Sequence, residues 1–426
     1  MFHPITFSII IILFFYAVFY IFKKQLKGSS DVRSNIKLKL PPSPPKIPIL
    51  GNFHQLTLMI HRCFHCVSAL YGPIVLLHWA TKPILVVSSA EMASEIIKTH
   101  DVTFADRFVP KTIRVIFFGG NDLVFAPYGE RWRQLRKFCV LELLTAKRVQ
   151  SFKYVREEEV DKVMEKIAHS SRQGDIINLT ETISTMLNSI IFRCSLGDNF
   201  NKDYTQKFIG LIKMATRLME SAFSCEDYFP WLKWMDVITG LDRKLKRTSE
   251  EINTFLNQII DDHLLSGNSC VKHSDHDNKR NFIELLLLHA EKQPNLHLTR
   301  DNIKGIILDM FIAGSETTAT VVDWAIAELI KNPKLMKKAQ EEVRRVVGNK
   351  MKVEEHDINQ MDYLKCIVKE SLRLHPPVPS LLGRNSSANV KIGGYDIPAN
   401  TVLFINAYTI QRDPESWDKP EEFYPE

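Results

Sequence analysis

The chain has 426 residues, is 45% hydrophobic and carries a formal charge of +6 from 55 basic and 49 acidic residues. That is ample material for a buried core and excludes the disordered class. Lys23, Lys24, Lys27, Arg33, Lys37 and Lys39 against Asp31, six minus one, put +5 of the charge between positions 23 and 40. The remainder is close to neutral, which argues against a nucleic-acid-binding face and for a basic segment beside an anionic membrane surface.

Ile5 to Phe22 is an uncharged run of 18 residues. As a helix it reaches roughly 27 Å, enough to span a bilayer core. The basic cluster follows this run and none precedes it, so the rest of the chain is expected in the cytosol with its cysteines mostly as thiols. Next comes Pro41-Pro42-Ser43-Pro44-Pro45-Lys46-Ile47-Pro48. Fixed φ angles and missing amide donors make it stiff and extended. It reads as part of a hinge, residues 23–52, between an anchor at 1–22 and a folded domain at 53–426.

His61, Cys63, His65 and Cys66 look like half of a zinc site, but no second ligand cluster with suitable spacing appears. Ile74 to His78 and Ile84 to Val87 are expected as a hairpin beside a helix from Ala90 to Lys98. From about Tyr128 to Ile330 the pattern is helical, interrupted at Gly174, Gly197, Pro230 and Gly240, and Ser266 to Arg280 reads as a polar surface loop. Val390 to Ile392, Tyr395 to Ile397 and Val402 to Asn406 are expected strands, with a Gly393-Gly394 turn. The fold class is therefore mainly α with a small, discontinuous β part.

Three segments carry chemistry. In Asp309 to Thr320, DMFIAGSETTAT, a polar cluster interrupts the apolar helical positions Ile303, Ile306, Ile307, Met310 and Phe311. Gly314 weakens the helix, and Thr317 can bond back to the carbonyl of Ala313, so the ladder can open and admit water or a diatomic ligand. Glu316 and Thr317 then offer an acid and a hydroxyl for proton delivery. A Ser/Thr patch packed on another helix fits the same residues. Glu370 and Arg373 in KESLRLHPP share a helix face at i,i+3 spacing, as a common surface ion pair also would. Trp132 and Arg136 in YGERWRQLRKFC share a face at i,i+4. There an indole donor and a guanidinium suit a carboxylate, although a solvated basic helix with a packed Trp has the same pattern.

Together, in this order and behind the PPSPPKIPILGN hinge, the motifs WRQLRK, AGSETT and KESLRLHPP resemble the cytochrome P450 family, and their wording is similar to microsomal plant enzymes acting on terpenoids, alkaloids and phenolics. The approach GGYDIPANTVLFINAYTIQRDPESWDKPEEFYPE matches as well. The resemblance implies the cytochrome P450 fold and a haem cofactor. Trp132, Arg136 and Arg384 would bind haem propionates, while Ala313, Glu316 and Thr317 would line the oxygen pocket. Glu370 and Arg373 would be structural, completed by an arginine just after Pro-Glu. An apolar loop Val115 to Phe118, with Phe117 and Phe118, and the segment Val378 to Leu382 would shape the pocket of an apolar substrate. O2 would be the co-substrate and an NADPH-dependent flavin reductase the electron donor. The setting would be the endoplasmic reticulum membrane, single-pass, with the catalytic domain cytosolic.

The family's Phe-x-x-Gly-x-Arg-x-Cys-x-Gly loop, source of the iron ligand, has no counterpart in these 426 residues. Cys366, four residues before Glu370, is expected in the core. Ser43 stands where glycine is usual, Gly383 where proline is usual and Asn385 where an acid is usual; the last two flank Arg384. Two readings follow: an incomplete record of an active oxygen-inserting enzyme, or a noncatalytic membrane-tethered remnant in which Glu370 and Arg373 lack their partner and stability is poor.

Overall fold

The computed structural model describes residues 38–197, 202–221, 223–270, 280–292 and 298–426. The expected anchor, and the basic run as far as Lys37, lie outside them. So does most of the polar stretch from Ser266 to Arg280, but its first residues are helical: the helix Leu241–Cys270 runs through Ser266, where a loop was expected. Once a long helix exists, each added residue gains a hydrogen bond without a new nucleation cost, so polar residues extend it readily.

The strands are β1 (Ile74–Trp79), β2 (Lys82–Val87), β3 (Asp106–Arg107), β4 (Arg384–Asn385), β5 (Val390–Ile392), β6 (Tyr395–Ile397) and β7 (Val402–Ile405). One sheet has the order β1-β2-β7-β4-β3, with β2 and β7 parallel and the other pairs antiparallel; β5 and β6 pair apart from it. The runs in β1 and β2 are continuously apolar because both faces are covered. Val75, Leu77 and Trp79 pack with Phe64 and Val67 of the helix Ile60–Tyr71. Ile74, Leu85 and Val87 pack with Ala93, Ile96 and Phe104 on the other side. The helix Ala90–Thr99 starts at Ser89, whose hydroxyl accepts from the Met92 amide. The proline-rich segment is fastened to this sheet: the Leu76 amide donates to Pro42 O at 2.9 Å. Asn52 bridges the Pro45 carbonyl and the His78 amide.

The helical body is built around Arg300–Gly314, whose Ile303, Ile306, Ile307 and Phe311 are buried as their spacing predicts. Phe311 meets Phe208 edge-on at 4.8 Å, and Phe208 stacks on Phe255 at 4.6 Å, which joins three helices through aromatic contacts. Arg300 to Lys331 is long and apolar enough to cross a membrane by length and composition. Its first half is the centre of a packed core, and the helix is interrupted at Ser315.

Cys366 is half-buried, not a core residue. The helix Asp362–Leu374 buries Ile367, Glu370, Ser371, Arg373 and Leu374. A four-residue step overshoots a full turn by about 40°, enough to turn Cys366 off that face.

Candidate active site

The polar cluster of DMFIAGSETTAT breaks the helix. One segment ends at Gly314 and the next begins at Glu316, with Ser315 at φ −93° and ψ −64° between them. Four hydroxyls bond back to carbonyls four residues earlier: Ser315 to Phe311 at 2.7 Å, Thr317 to Ala313 at 2.5 Å, Thr318 to Gly314 at 3.0 Å and Thr320 to Glu316 at 2.9 Å. These hydroxyls compete with amides for the same carbonyls and bend the helix where glycine already weakens it. Gly314 also permits close packing, since a Cβ there would lie 3.1 Å from Ile191 Cδ1 on the helix Leu179–Leu196. Ala313 is exposed at the break and Thr317 is half-buried. Glu316 is held from the side, where Ser184 Oγ donates to its Oε1 at 3.2 Å. Burial, and then the charge of Glu316, push the Glu220 carboxyl above its usual range, so a second acid stands near the first.

Glu370 and Arg373 form a buried bidentate pair, Nε to Oε2 and Nη2 to Oε1, both at 2.7 Å. Backbone groups from a later stretch of chain surround the pair. Arg373 also donates to the carbonyls of Gln411, Pro420 and Glu422, and the Tyr424 amide donates to Glu370 Oε1. A guanidinium has five N–H donors, and all five are used, while the Tyr424 amide gives the Glu370 carboxylate a donor beyond Arg373.

Trp132, Arg136 and Arg384 come to one region, but with changed roles. The Trp132 indole N–H is taken by the Leu123 carbonyl at 2.9 Å, so it is not the donor expected for a carboxylate. Its ring is instead a platform, with the Arg136 guanidinium 5.1 Å from the centroid. Arg384 uses Nη1 on Asp101 at 2.8 Å and on Phe104 O. Its setting is firm despite Gly383 and Asn385: the Phe108 amide donates to Gly383 O, and β4 pairs with both β3 and β7.

Sequence reasoning missed Arg107. It lies directly opposite Arg384 in the antiparallel pair β3–β4, and its guanidinium is lowered by burial and then by the charges of Arg384 and Arg136. Among the described residues, Arg107 and Arg136 have no carboxylate or hydrogen-bond acceptor of their own. Like charges facing each other across strands are unfavourable without an anion. Three guanidinium groups against Asp101, three minus one, leave two positive charges. The signal in the sequence was only a lone arginine in FADRFVP, and its register is not legible before folding.

Around this region lie the pocket segments. Val115 is not in a loop: the helix Lys111–Ile116 includes it, and a turn follows. Phe117 is 1% exposed and packs against Phe125 in the core, so it presents no free face to a substrate here. Phe118, at φ 50°, carries the Lys304 ammonium over its ring, and Leu381 is also left-handed at φ 48°. Backbone strain of this kind persists only where the surroundings impose it. Val378 is half-buried and Leu382 is 40% exposed. Lys111 ties the helix above Phe117 to the next layer, with Nζ on Asp242 at 2.6 Å, Glu226 at 2.9 Å and Asp236 at 3.1 Å. Burial would lower this ammonium, but the three carboxylates outweigh it and raise it.

HRCFHC divides between two faces of its helix. His61 and His65 pack on Tyr408. Cys63 and Cys66 instead line an apolar cavity of about 340 Å³ with Pro44, Thr57 and Tyr71. The four side chains do not converge on one point.

The model of the cytochrome P450 family matches residues 41–426. The phenylacetaldehyde oxime monooxygenase of Prunus mume is 45% identical over 94% of this chain and 76% of its own length. Cytochrome P450 71A1 of Persea americana is 48% identical over 88% of this chain and 75% of its own. The desmethylyatein synthase of Sinopodophyllum hexandrum is 46% identical over 92% and 78%. A zebrafish cytochrome P450 solved with progesterone superposes with a TM-score of 0.71 at 22% identity, covering 86% of this chain and 82% of that one, and so shares the fold. The family implies haem as cofactor, and with it O2, a small-molecule substrate and a redox partner. The chain belongs to the cytochrome P450 family and is a monooxygenase of the plant microsomal type.

Proposed function

We propose that this domain inserts one oxygen atom of O2 into an apolar small molecule of plant secondary metabolism, a terpenoid in the first instance, with electrons from an NADPH-dependent flavin reductase. The observation that carries the reading is the helix opened at Ser315, with the Thr317 hydroxyl on the Ala313 carbonyl and the carboxylate of the preceding residue, Glu316, held by Ser184. The residues fit a haem on two sides. Arg107, Arg136 and Arg384 offer two net positive charges to two propionates. Ala313, exposed at the break, lets a flat group approach the backbone closely. When bound, the haem supplies the activation of O2.

The chain's own residues then have distinct tasks. Arg136, lying on the Trp132 ring, orients one propionate, while Arg107 and Arg384 hold the other. Glu316, held by Ser184, takes up a proton at its carboxylate, and Thr317 passes it on from Oγ1. Phe118, Val378 and Leu382 exclude water and receive the apolar substrate. Phe117 supports them from the core. Glu370 and Arg373 would keep the helix Asp362–Leu374 rigidly tied to the later stretch from Gln411 to Tyr424.

Residues 1–22 serve as a single-pass anchor in the endoplasmic reticulum membrane and 23–52 as the connection to the cytosolic catalytic domain, 53–426, with the proline-rich part of that connection docked on the sheet. Trp234 (54% exposed), Val237 (65%), Ile238 (75%) and Leu58 (105%) support a membrane-facing side, because large apolar groups are seldom left so open without a partner. The test is to express the gene's complete product in microsomes with its reductase and offer it a panel of apolar terpenoids. The reading expects a thiolate-type Soret band in the reduced, carbon-monoxide-treated sample and an NADPH-dependent oxygenated product; absence of both would sink it.

A further inference from the structure

Two buried acids outside the oxygen site meet across the core. Asp309 is 4% exposed on the helix Arg300–Gly314, and Asp122 is fully buried in the segment just before the helix Glu130–Phe138. Asp309 Oδ2 accepts from the Leu123 amide and Asp122 Oδ2 from the Phe125 amide, each at 2.7 Å. The remaining oxygen of each, Oδ1, is buried without a well-formed hydrogen bond, with the Val124 amide near both, and the two carboxyls are close enough to act on each other directly. Two carboxylates this close in a dry setting cannot both be ionised, and one proton between them satisfies both orphaned oxygens.

The contact is built for close approach. At Gly305, one turn before Asp309, a Cβ would lie 2.9 Å from Asn121 O and Asp122 Cα, both backbone atoms. Asn302, a further turn back, donates to Asn121 O at 2.8 Å. Asn302, Gly305 and Asp309 thus press one helix face against residues 121–123. The Leu123 carbonyl, on the same residue whose amide Asp309 holds, takes the Trp132 indole N–H.

We propose that Asp122 and Asp309 share one proton, and that this pair is the positioning device which seats Leu123, and through its carbonyl Trp132, against the helix that opens at Ser315. Other ionisable groups around the pair are engaged or neutral. Lys304, on the same helix, is turned to Asn253 and Asp301. Arg131, from the helix Glu130–Phe138, is on Asn302. The Cys139 thiol is pushed up to about 12 by burial and then by Asp309. His289, from the helix Phe282–Lys292, packs at a tilt against Phe138, 4.2 Å between ring centroids, and is lowered by burial. The helices Leu179–Leu196 and Lys202–Ser221 present Phe192 and Phe208 to Phe311. Burial, then the charge of Asp122, hold Asp309 well above the usual carboxylate range. The folded state therefore binds a proton that the unfolded state has released. This contribution is complete below the usual carboxylate range and is lost as pH rises through the folded value.

The test needs no haem, so it stands or falls apart from the reading above. Asparagine at 309 can donate to Asp122 and still accept from Leu123, which replaces the shared proton permanently. Thermal unfolding from about pH 5 to about pH 9 should show wild type losing stability with rising pH, and Asp309→Asn losing less than half as much. Asp309→Asn should also delete a protonated-carboxyl stretch from the infrared spectrum at neutral pH. Exchange protection of the Trp132 indole N–H should persist in Asp309→Asn and fall about tenfold or more in Asp309→Leu. If Asp309→Leu does not fold, Asp122→Asn replaces it, with a flattened pH profile expected again. A pH profile in either asparagine variant as steep as wild type, or an unchanged infrared band, overturns the proposal.

Discussion

Two groups of arginines in this molecule are treated oppositely. Arg373 is buried with all five donors spent, on Glu370 and on three carbonyls from a later stretch of chain. Among the described residues, Arg107, Arg136 and Arg384 converge with only Asp101 as a carboxylate partner, and two of them face each other across strands. The guanidinium that holds the fold together is saturated from within, whereas the three of the proposed haem site are positioned and left with donors to spare. Arg373 and Arg136 sit in motifs that, read singly, resemble ordinary surface residues. Saturation tells them apart.

Removing the saturated arginine should have the largest effect. Arg373→Ala strands a carboxylate that is 9% exposed and frees three carbonyls, so denaturant unfolding should show a loss of about 3–5 kcal/mol. Arg136→Gln should behave oppositely: stability within about 0.5 kcal/mol of wild type, because its side chain is exposed, but roughly tenfold weaker binding of haem in a spectrophotometric titration.

Acid offers a contrast that touches neither group. Burial, and then the charge of Lys46, lower His78 from 6.5 to about 4, and its Nδ1 has no partner. Its folded value lies below its unfolded value, so its contribution is complete above 6.5 and disappears as pH falls towards 4. A His78→Gln variant should therefore have a flatter melting temperature across that window; an unchanged slope would contradict this. The smallest effect is expected at Arg107. Arg107→Gln relieves the repulsion with Arg384 and should leave the ligand-free protein unchanged or up to about 1 kcal/mol more stable. A clear loss of stability would place Arg107 with Arg373 instead.

What was legible in the sequence was local. The opening of the helix, and the bond from Thr317 to Ala313, follow from residue types four apart, and the Glu370–Arg373 pair follows from spacing. What stayed hidden was the partner supplied from elsewhere. Gln411, Pro420 and Glu422 complete Arg373 through carbonyls, groups that every residue has and no motif marks. Arg107 acquires meaning only through its register with Arg384, and Asp122 only through burial against Asp309. The side chains of Phe117 and Trp132 are spent on Phe125 and Leu123, partners that no motif marks. The resemblance carried the family, because no single motif was decisive by its own chemistry.

The central claim is that the three unsaturated guanidinium groups are kept for the two propionates of a haem. Titrating the protein with iron protoporphyrin and, separately, with its dimethyl ester tests this directly, since the ester keeps the ring and loses both charges. The account predicts at least about tenfold tighter binding of the free acid, with the difference abolished when Arg107, Arg136 and Arg384 are replaced together by glutamine. Equal binding of acid and ester by the unaltered protein would contradict it.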